Sequence, residues 1–210
     1  MNTAKTNIAI FDYGAGNLFS LKSSLERNGA HKVEIINNLY DIEKFDGLVL
    51  PGVGNFDPAI RAIEKSKSIF LKSINDNLPI LGICLGMEML FKSSEEGTLE
   101  GLKILNGKVI MLPKKKVKIP HMGWNNLDII NKKSNILSGI KNKSWVYFVH
   151  SYHIIPKDNQ IIAANTSYGI DIPVVIEKDN LFGTQFHPEK SGEIGARIVK
   201  NFVEVCTKQK

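Results

Sequence analysis

The sequence predicts an α/β fold: a three-layer sandwich with a mainly parallel central sheet and an antiparallel extension. Two observations carry this. In the first half, short continuous apolar runs alternate with stretches of helical spacing, the pattern of strands buried on both faces with helices between them. In the second half, strand-like runs follow one another with only turn residues between.

Taken in order, Asn7–Phe11 is apolar through Ile8, Ala9 and Ile10 and reads as a buried first strand. Leu18, Leu21 and Leu25 recur at helical spacing up to the stop signal Asn28-Gly29. Val33–Ile36 and Gly47–Leu50 are short strands, the second ending at Pro51. Ile60, Ile63, Ile69, Phe70 and Ile74 continue helical character, and Ile80–Ile83 is the next strand. Further strands are expected at 108–112, 126–130, 145–150, 152–155, 161–165, 174–177 and 181–185. A last helix begins near Ser191, with Ile194, Ile198, Phe202 and Val205 on one face to pack on the sheet.

The 210 residues fit one domain, 1–210, with a sizeable core and no linker or repeat. Hydrophobic content of 43% and charged content of 23% are those of a soluble globular protein. No apolar run approaches a membrane span, and the first residues lack the apolar core of a signal peptide. Two cysteines, Cys84 and Cys206, do not make a disulfide framework, so a reducing, cytoplasmic setting is expected. Cys206 reads as structural or simply exposed. The net charge of +6 is mostly lysine, but its dense run, Lys114–Lys118, has no interleaved aromatics. It reads as a solvated loop on the rim of a partner surface, and neither nucleic acid nor membrane is expected as a partner.

The chemistry concentrates at Gly82-Ile83-Cys84-Leu85-Gly86. This joins the run Leu78–Leu81 to a helical pattern, Met87 through Phe91, so that Cys84 stands at the apex of a strand–turn–helix. Glycines two residues to either side let the backbone turn without a Cβ clash. This is the nucleophile-elbow arrangement with cysteine for serine, and a helix starting after Cys84 favours the thiolate. A base is supplied by Gly183–Lys190. His187 and Glu189 are two apart, so at a strand end their side chains point the same way. That suits an imidazole taking the thiol proton and a carboxylate fixing its tautomer. Pro51-Gly52-Val53-Gly54 follows a strand, and its backbone N–H groups can face a ligand, with an ordinary turn as the competing reading. Gly14-Ala15-Gly16-Asn17 fails as a dinucleotide loop, because Phe19 stands where a third glycine is needed, and there is no Walker lysine.

Gly82–Gly86 with Phe186-His187-Pro188-Glu189 resembles the class I (triad) glutamine amidotransferases. Within that class, 12–18, 50–54, 120–125, 147–152 and 188–191 resemble the glutaminase subunits of imidazole glycerol phosphate synthases, over about Ile8 to Phe202. The resemblance implies the class I amidotransferase fold, L-glutamine as substrate, no metal or other cofactor, and a heterodimer whose partner is a (β/α)₈-barrel cyclase. It implies Cys84, His187 and Glu189 as the catalytic triad, with oxyanion donors from Gly52, Val53, Gly54 and the Leu85 amide. It places Ser151 and Tyr152 in the glutamine site. Asn17, His121, Met122, Trp124, Tyr147, His150 and Lys190 fall at the partner interface, with core packing the competing reading for Tyr147 and Tyr152. Most relatives carry glutamine at the place of Glu88. One helical turn after Cys84, Glu88 is expected to face the pocket and contact the amino-acid head group. A paralogous amidotransferase subunit feeding another synthase, an elbow-cysteine hydrolase of similar fold, and a non-catalytic scaffold remain as alternative readings.

Overall fold

The computed structural model describes residues 5–14, 18–52 and 54–208. Asn17 and Val53, both expected at functional positions, lie outside the described residues. The first half runs β1 (Asn7–Phe11), α1 (Phe19–Arg27), β2 (Lys32–Ile36), β3 (Gly47–Leu50), α2 (Phe56–Glu64), α3 (Lys67–Asn75), β4 (Ile80–Ile83) and α4 (Leu85–Glu88). The second half runs β5 (Gly107–Met111), β6 (His121–Asn126), β7 (Asp128–Ile129), β8 (Trp145–His150), β9 (Tyr152–Pro156), β10 (Ile162–Ser167), β11 (Asp171–Lys178), β12 (Leu181–Thr184) and α5 (Gly192–Thr207).

The central sheet has the order β2-β1-β3-β4-β12-β11-β10-β7. Strands β2, β1, β3, β4 and β12 pair in parallel, and β11, β10 and β7 extend the sheet antiparallel. Successive residues of β1 point to opposite faces. Ile8 and Ile10 join a buried cluster with Leu21 and Leu25 of α1 and Ile198 and Phe202 of α5. Ala9 and Phe11 join a second cluster with Phe56, Ile60 and Ile63 of α2 and Phe70 of α3. The three layers follow from this alternation. Truncating a fully buried side chain such as Phe202 to Ala would cost about 3–5 kcal/mol. Cys206 also belongs to this core and has no exposed surface.

Three elements differ from the sequence expectation. The helical stretch from Ile60 to Ile74 is two helices, interrupted at Lys65-Ser66, where the buried Ser66 hydroxyl accepts the Leu39 N–H at 3.2 Å. The pattern Met87–Phe91 does not form a full helix. Regular α-helix ends at Glu88, and tighter bonds from Leu90 N to Met87 O and from Phe91 N to Glu88 O carry the chain on, with all five residues buried. The strand expected at 126–130 shrinks to the two-residue edge β7, Asp128–Ile129, and the longer strand β6, His121–Asn126, precedes it where no strand was expected.

Two antiparallel ribbons stand beside the sheet, β5 with β9 and β6 with β8. The sheet itself positions the site. In the parallel register of β4 and β12, Gly82 faces Gly183 and Ile83 faces Thr184, so the ends of these strands deliver Cys84 and the segment leading to His187 side by side. Among the described residues, no helix is long and apolar enough to cross a membrane.

Candidate active site

Cys84 leaves β4 in a strained conformation, φ 46° and ψ −107°, which costs a non-glycine residue on the order of 1–3 kcal/mol. Its N–H donates to Thr184 O at 2.6 Å, and its carbonyl accepts the Met87 and Glu88 N–H groups at 3.0 Å. The flanking glycines are needed for close approach. A Cβ on Gly86 would strike the Leu50 carbonyl, and one on Gly82 would lie 2.6 Å from Met87 N. The elbow is therefore wedged between β3 and its own first turn, with the half-buried Cys84 thiol facing a cleft.

His187 is buried, 3% exposed, and its Nδ1 lies 2.9 Å from Glu189 Oε1. With Nδ1–H donated to the carboxylate, Nε2 keeps its lone pair and is free to accept a proton. The reason for this pairing differs from the expected strand alternation. Strand β12 ends at Thr184; His187 is the extended residue before a 3₁₀ turn, Pro188–Lys190, and the turn brings Glu189 back to the imidazole. The His187 backbone is held on both sides. Its N–H donates to Tyr147 O at 3.1 Å, its carbonyl accepts the Ser191 hydroxyl at 2.7 Å, and the same hydroxyl oxygen accepts Tyr147 N–H at 3.0 Å. Ser191 thus ties β8 to His187, a role the sequence reading missed.

Cys84 and His187 converge over Gly52. A Cβ there would lie 2.9 Å from both Cys84 Cβ and His187 Cε1. Gly52 and Gly54 line the cleft from the loop after β3, and Gly54 has φ 103°. Leu85 and Glu88 line it from the elbow, and Ser151 and Tyr152 from the opposite side. Glu96, not anticipated from the sequence, also lines it. Burial pushes the Cys84 thiol well above its ordinary range, and the Glu88 carboxyl adds to the rise; the Leu85 N–H and the Gln185 amide oppose it. Glu88 itself is 3% exposed and accepts a hydrogen bond from Gln185 Nε2 at 3.0 Å. Burial pushes its carboxyl up to about 7. Among the described residues, no group of three or more His, Cys, Asp and Glu side chains is disposed to hold a metal ion.

The residues expected at the partner interface divide into two sets. In the β6–β8 ribbon Met122 faces Val149, Trp124 faces Tyr147 and Asn126 faces Trp145. Met122, Trp124 and Trp145 are 62%, 52% and 56% exposed, so this outward face is apolar and aromatic. Lys190 is exposed as well. His121 and His150 lie on the opposite, inward face and are buried, because they hydrogen-bond to each other at 2.9 Å and His121 stacks between Phe148 and Tyr168. They stand behind the exposed face rather than on it. His150 Nδ1 lies 2.7 Å from Tyr152 O, which can only accept. Nδ1 of His150 must therefore carry a proton, its Nε2 must accept, and His121 Nδ1 must donate. Burial lowers His121 to about 4 and His150 to about 3, which keeps both rings neutral.

Residues 9–206 match the family model for glutamine amidotransferase class-I. The chain is 49% identical over 199 residues to imidazole glycerol phosphate synthase subunit HisH of Methanocaldococcus jannaschii, covering 94% of this chain and 99% of that one. It is 50% identical over 202 residues to the HisH subunit of Caldanaerobacter subterraneus subsp. tengcongensis, covering 94% and 98%. Among solved structures, PurLQS from Thermotoga maritima superposes with a TM-score of 0.71 at 18% identity, covering 98% of this chain and 99% of that one. The glutaminase domain of Trypanosoma brucei CTPS superposes with the same score and identity, covering 97% and 94%; both show the shared fold. An elbow cysteine, a carboxylate-paired histidine and matches of this length and identity have one consistent reading: the chain belongs to the class-I glutamine amidotransferase family, in its imidazole glycerol phosphate synthase HisH branch.

Proposed function

We propose that this chain, read as one glutaminase domain over 1–210, is the ammonia-producing subunit of an imidazole glycerol phosphate synthase in the cytoplasm. The observation that carries the chemistry is the convergence of Cys84 and His187 over Gly52, with Glu189 on the far nitrogen of the imidazole. The Cys84 sulfur gives its proton to His187 Nε2 and attacks the side-chain amide carbon of L-glutamine. Backbone N–H groups of residues 52–54 and of Leu85 stabilise the tetrahedral oxyanion. His187 returns the proton to the departing nitrogen, ammonia leaves, and a γ-glutamyl thioester remains. Water, deprotonated by His187, then releases glutamate and restores the thiol. Ser151 and Tyr152, with the carboxyls of Glu88 and Glu96, border the space for the amino-acid head group.

Ammonia needs a destination. Pro120 and Val149 border the cleft, and Val149 also belongs to the outward apolar face of the ribbon. A (β/α)₈-barrel cyclase docked on that face would receive ammonia without its escape to solvent. It would use the ammonia to make imidazole glycerol phosphate and AICAR. The free chain should hydrolyse glutamine slowly, with the loop at 51–54 completing the oxyanion site when the liganded partner binds.

The test is Cys84→Ala in the reconstituted complex. Glutamine-dependent synthesis should disappear while ammonia-dependent synthesis stays at the unmodified rate. Retained glutamine hydrolysis would sink the mechanism, and loss of both activities would point to a folding defect rather than a missing nucleophile.

A further inference from the structure

The cleft carries a carboxyl group that the triad does not use. Glu88 begins one turn after the nucleophile and is 3% exposed. A single amide connects it to the sulfur: Gln185 Nε2 lies 3.0 Å from Glu88 Oε1 and 3.5 Å from Cys84 Sγ. Gln185 is itself fully buried, fixed by its backbone N–H to Val174 O at 2.9 Å. Resting on the glutaminase reading above, we propose that Glu88 works as an un-ionised carboxylic acid beside the nucleophile, with Gln185 positioning both groups, and that loss of the Glu88 proton suppresses ionisation of Cys84.

The surroundings make the charged form costly. Helix α4 packs against β3, β4 and β12, and none of these strands carries an ionisable side chain. The groups that do face Glu88 are the Cys84 thiol, the Glu96 carboxyl and the Tyr152 phenol, with the neutral His150 further along the cleft and His187 beside Gly52. All three near groups are neutral or negative, and among the described residues neither lysine nor arginine lines the cleft. A desolvated carboxylate without a cation keeps its proton to higher pH. Burial accordingly lifts Glu88 to about 7, against the pull of the Gln185 N–H and with a push from Glu96.

The consequence follows from like charges. Acylation needs the sulfur as thiolate, stabilised by the Leu85 N–H and by the Gln185 amide. While Glu88 is protonated, its carboxyl is dipolar and leaves the thiolate unopposed. Once it ionises, a second negative charge shares the same amide donor. Interacting sites of this kind lose their protons in two separated steps. Turnover should therefore fall as pH rises through the Glu88 ionisation, in a range where a cysteine enzyme would otherwise keep gaining thiolate. A glutamine at position 88 keeps the shape and cannot ionise.

The test measures kcat for glutamine from pH 6 to 9.5 with the full chain, in the presence of its partner subunit, for the native protein and Glu88→Gln. In parallel, iodoacetamide alkylation of Cys84 is followed by peptide mass spectrometry without glutamine. The native enzyme should show a descending alkaline limb that Glu88→Gln lacks. At pH 8.5, Cys84 should be alkylated about tenfold faster in Glu88→Gln, the change expected for removing one like charge at close range. Gln185→Met should move the limb to higher pH while lowering the maximum, since Glu88 loses the donor that favours its charged form. Cys206, fully buried, should stay unmodified and reports folding in every variant. Superimposable pH profiles, or a change confined to KM, would overturn the proposal. The alkylation arm needs no glutamine turnover, so a failed glutaminase reading would leave it standing or falling by itself.

Discussion

Cys84 and His187 are brought together by the absence of a side chain between them: the Cβ that Gly52 lacks would lie 2.9 Å from Cys84 Cβ and from His187 Cε1. Separations that short essentially never occur at a real Cβ in folded proteins, so Gly52→Ala has to push the nucleophile or the base aside. Both are held by backbone bonds to neighbouring strands, Cys84 to Thr184 and His187 to Tyr147. Gly52→Ala should reduce glutamine turnover by roughly 10²-fold or more, the order of loss expected when reacting groups are misplaced by about 1 Å. Thermal stability should change far less. A native rate for Gly52→Ala, measured by glutamate release, would contradict the convergence.

Ser191 supplies a second, gentler test. Its hydroxyl donates to His187 O and accepts Tyr147 N–H, at 2.7 and 3.0 Å, and it is almost fully buried. Ser191→Ala leaves the part-buried Tyr147 N–H without its partner and removes one of two donors to His187 O, which keeps the Lys190 N–H at 3.0 Å; the loss of stability should be about 1–2 kcal/mol. Because Ser191 touches neither sulfur nor imidazole, the kinetic effect should fall on kcat with KM unchanged. Steady-state kinetics at saturating and limiting glutamine separates the two.

How far the sequence revealed this arrangement can be judged residue by residue. Strand β1 was legible because Ile8, Ala9 and Ile10 feed both sheet faces, so burial on two sides leaves an unbroken apolar run. The elbow was legible because its glycines are imposed by contacts within a few residues. Strand β6 was not. Its inward face carries His121, Gly123 and Asn125, whose fit depends on His150, Phe148 and Ser167 far along the chain. Gln185 was within reach, since it precedes His187 by two residues in the same segment. What no local pattern contains is the distance from its amide to Glu88, 97 residues earlier.

The histidine pair makes a prediction about acid stability. Folded His121 and His150 titrate near 4 and 3, below the ordinary value of about 6.5 expected in the unfolded chain. Between those limits the unfolded state takes up protons that the folded state refuses, so stability from this pair is complete above about pH 6.5 and is lost as pH falls toward 4. Glu88 acts in the opposite sense, because its raised carboxyl holds a proton that the unfolded chain gives up above about pH 4.3. Comparing variants removes that contribution. His121→Phe, which keeps a ring between Phe148 and Tyr168, should make the slope of unfolding free energy against pH flatter by about one proton between pH 4.5 and 6. Urea titrations across that range would detect it, and parallel slopes would contradict it.

The outward face of the β6–β8 ribbon makes the last prediction. Trp124 is 52% exposed and meets Tyr147 edge-on, with ring centroids 5.9 Å apart. Met122 and Trp145 extend the same face. A free chain gains little from large apolar groups left in water, whereas a buried aromatic at the centre of an interface contributes about 2 kcal/mol or more. Trp124→Ala should therefore leave the melting temperature of the isolated chain nearly unchanged and weaken the complex with the barrel partner by at least ~30-fold. Ile155, 37% exposed on β9 in the other ribbon, provides the comparison: Ile155→Ala should leave partner affinity as it was. The outward Trp124 and the base are joined through the backbone of Tyr147, which bonds His187 N–H. Partner-stimulated glutaminase of Trp124→Ala should accordingly recover when the barrel partner is raised to saturation. If it stays low at full occupancy, Trp124 transmits the stimulus to His187 in addition to holding the partner. Calorimetric titration alongside glutamate release distinguishes these outcomes, and unchanged affinity for Trp124→Ala would remove the ribbon as the docking face.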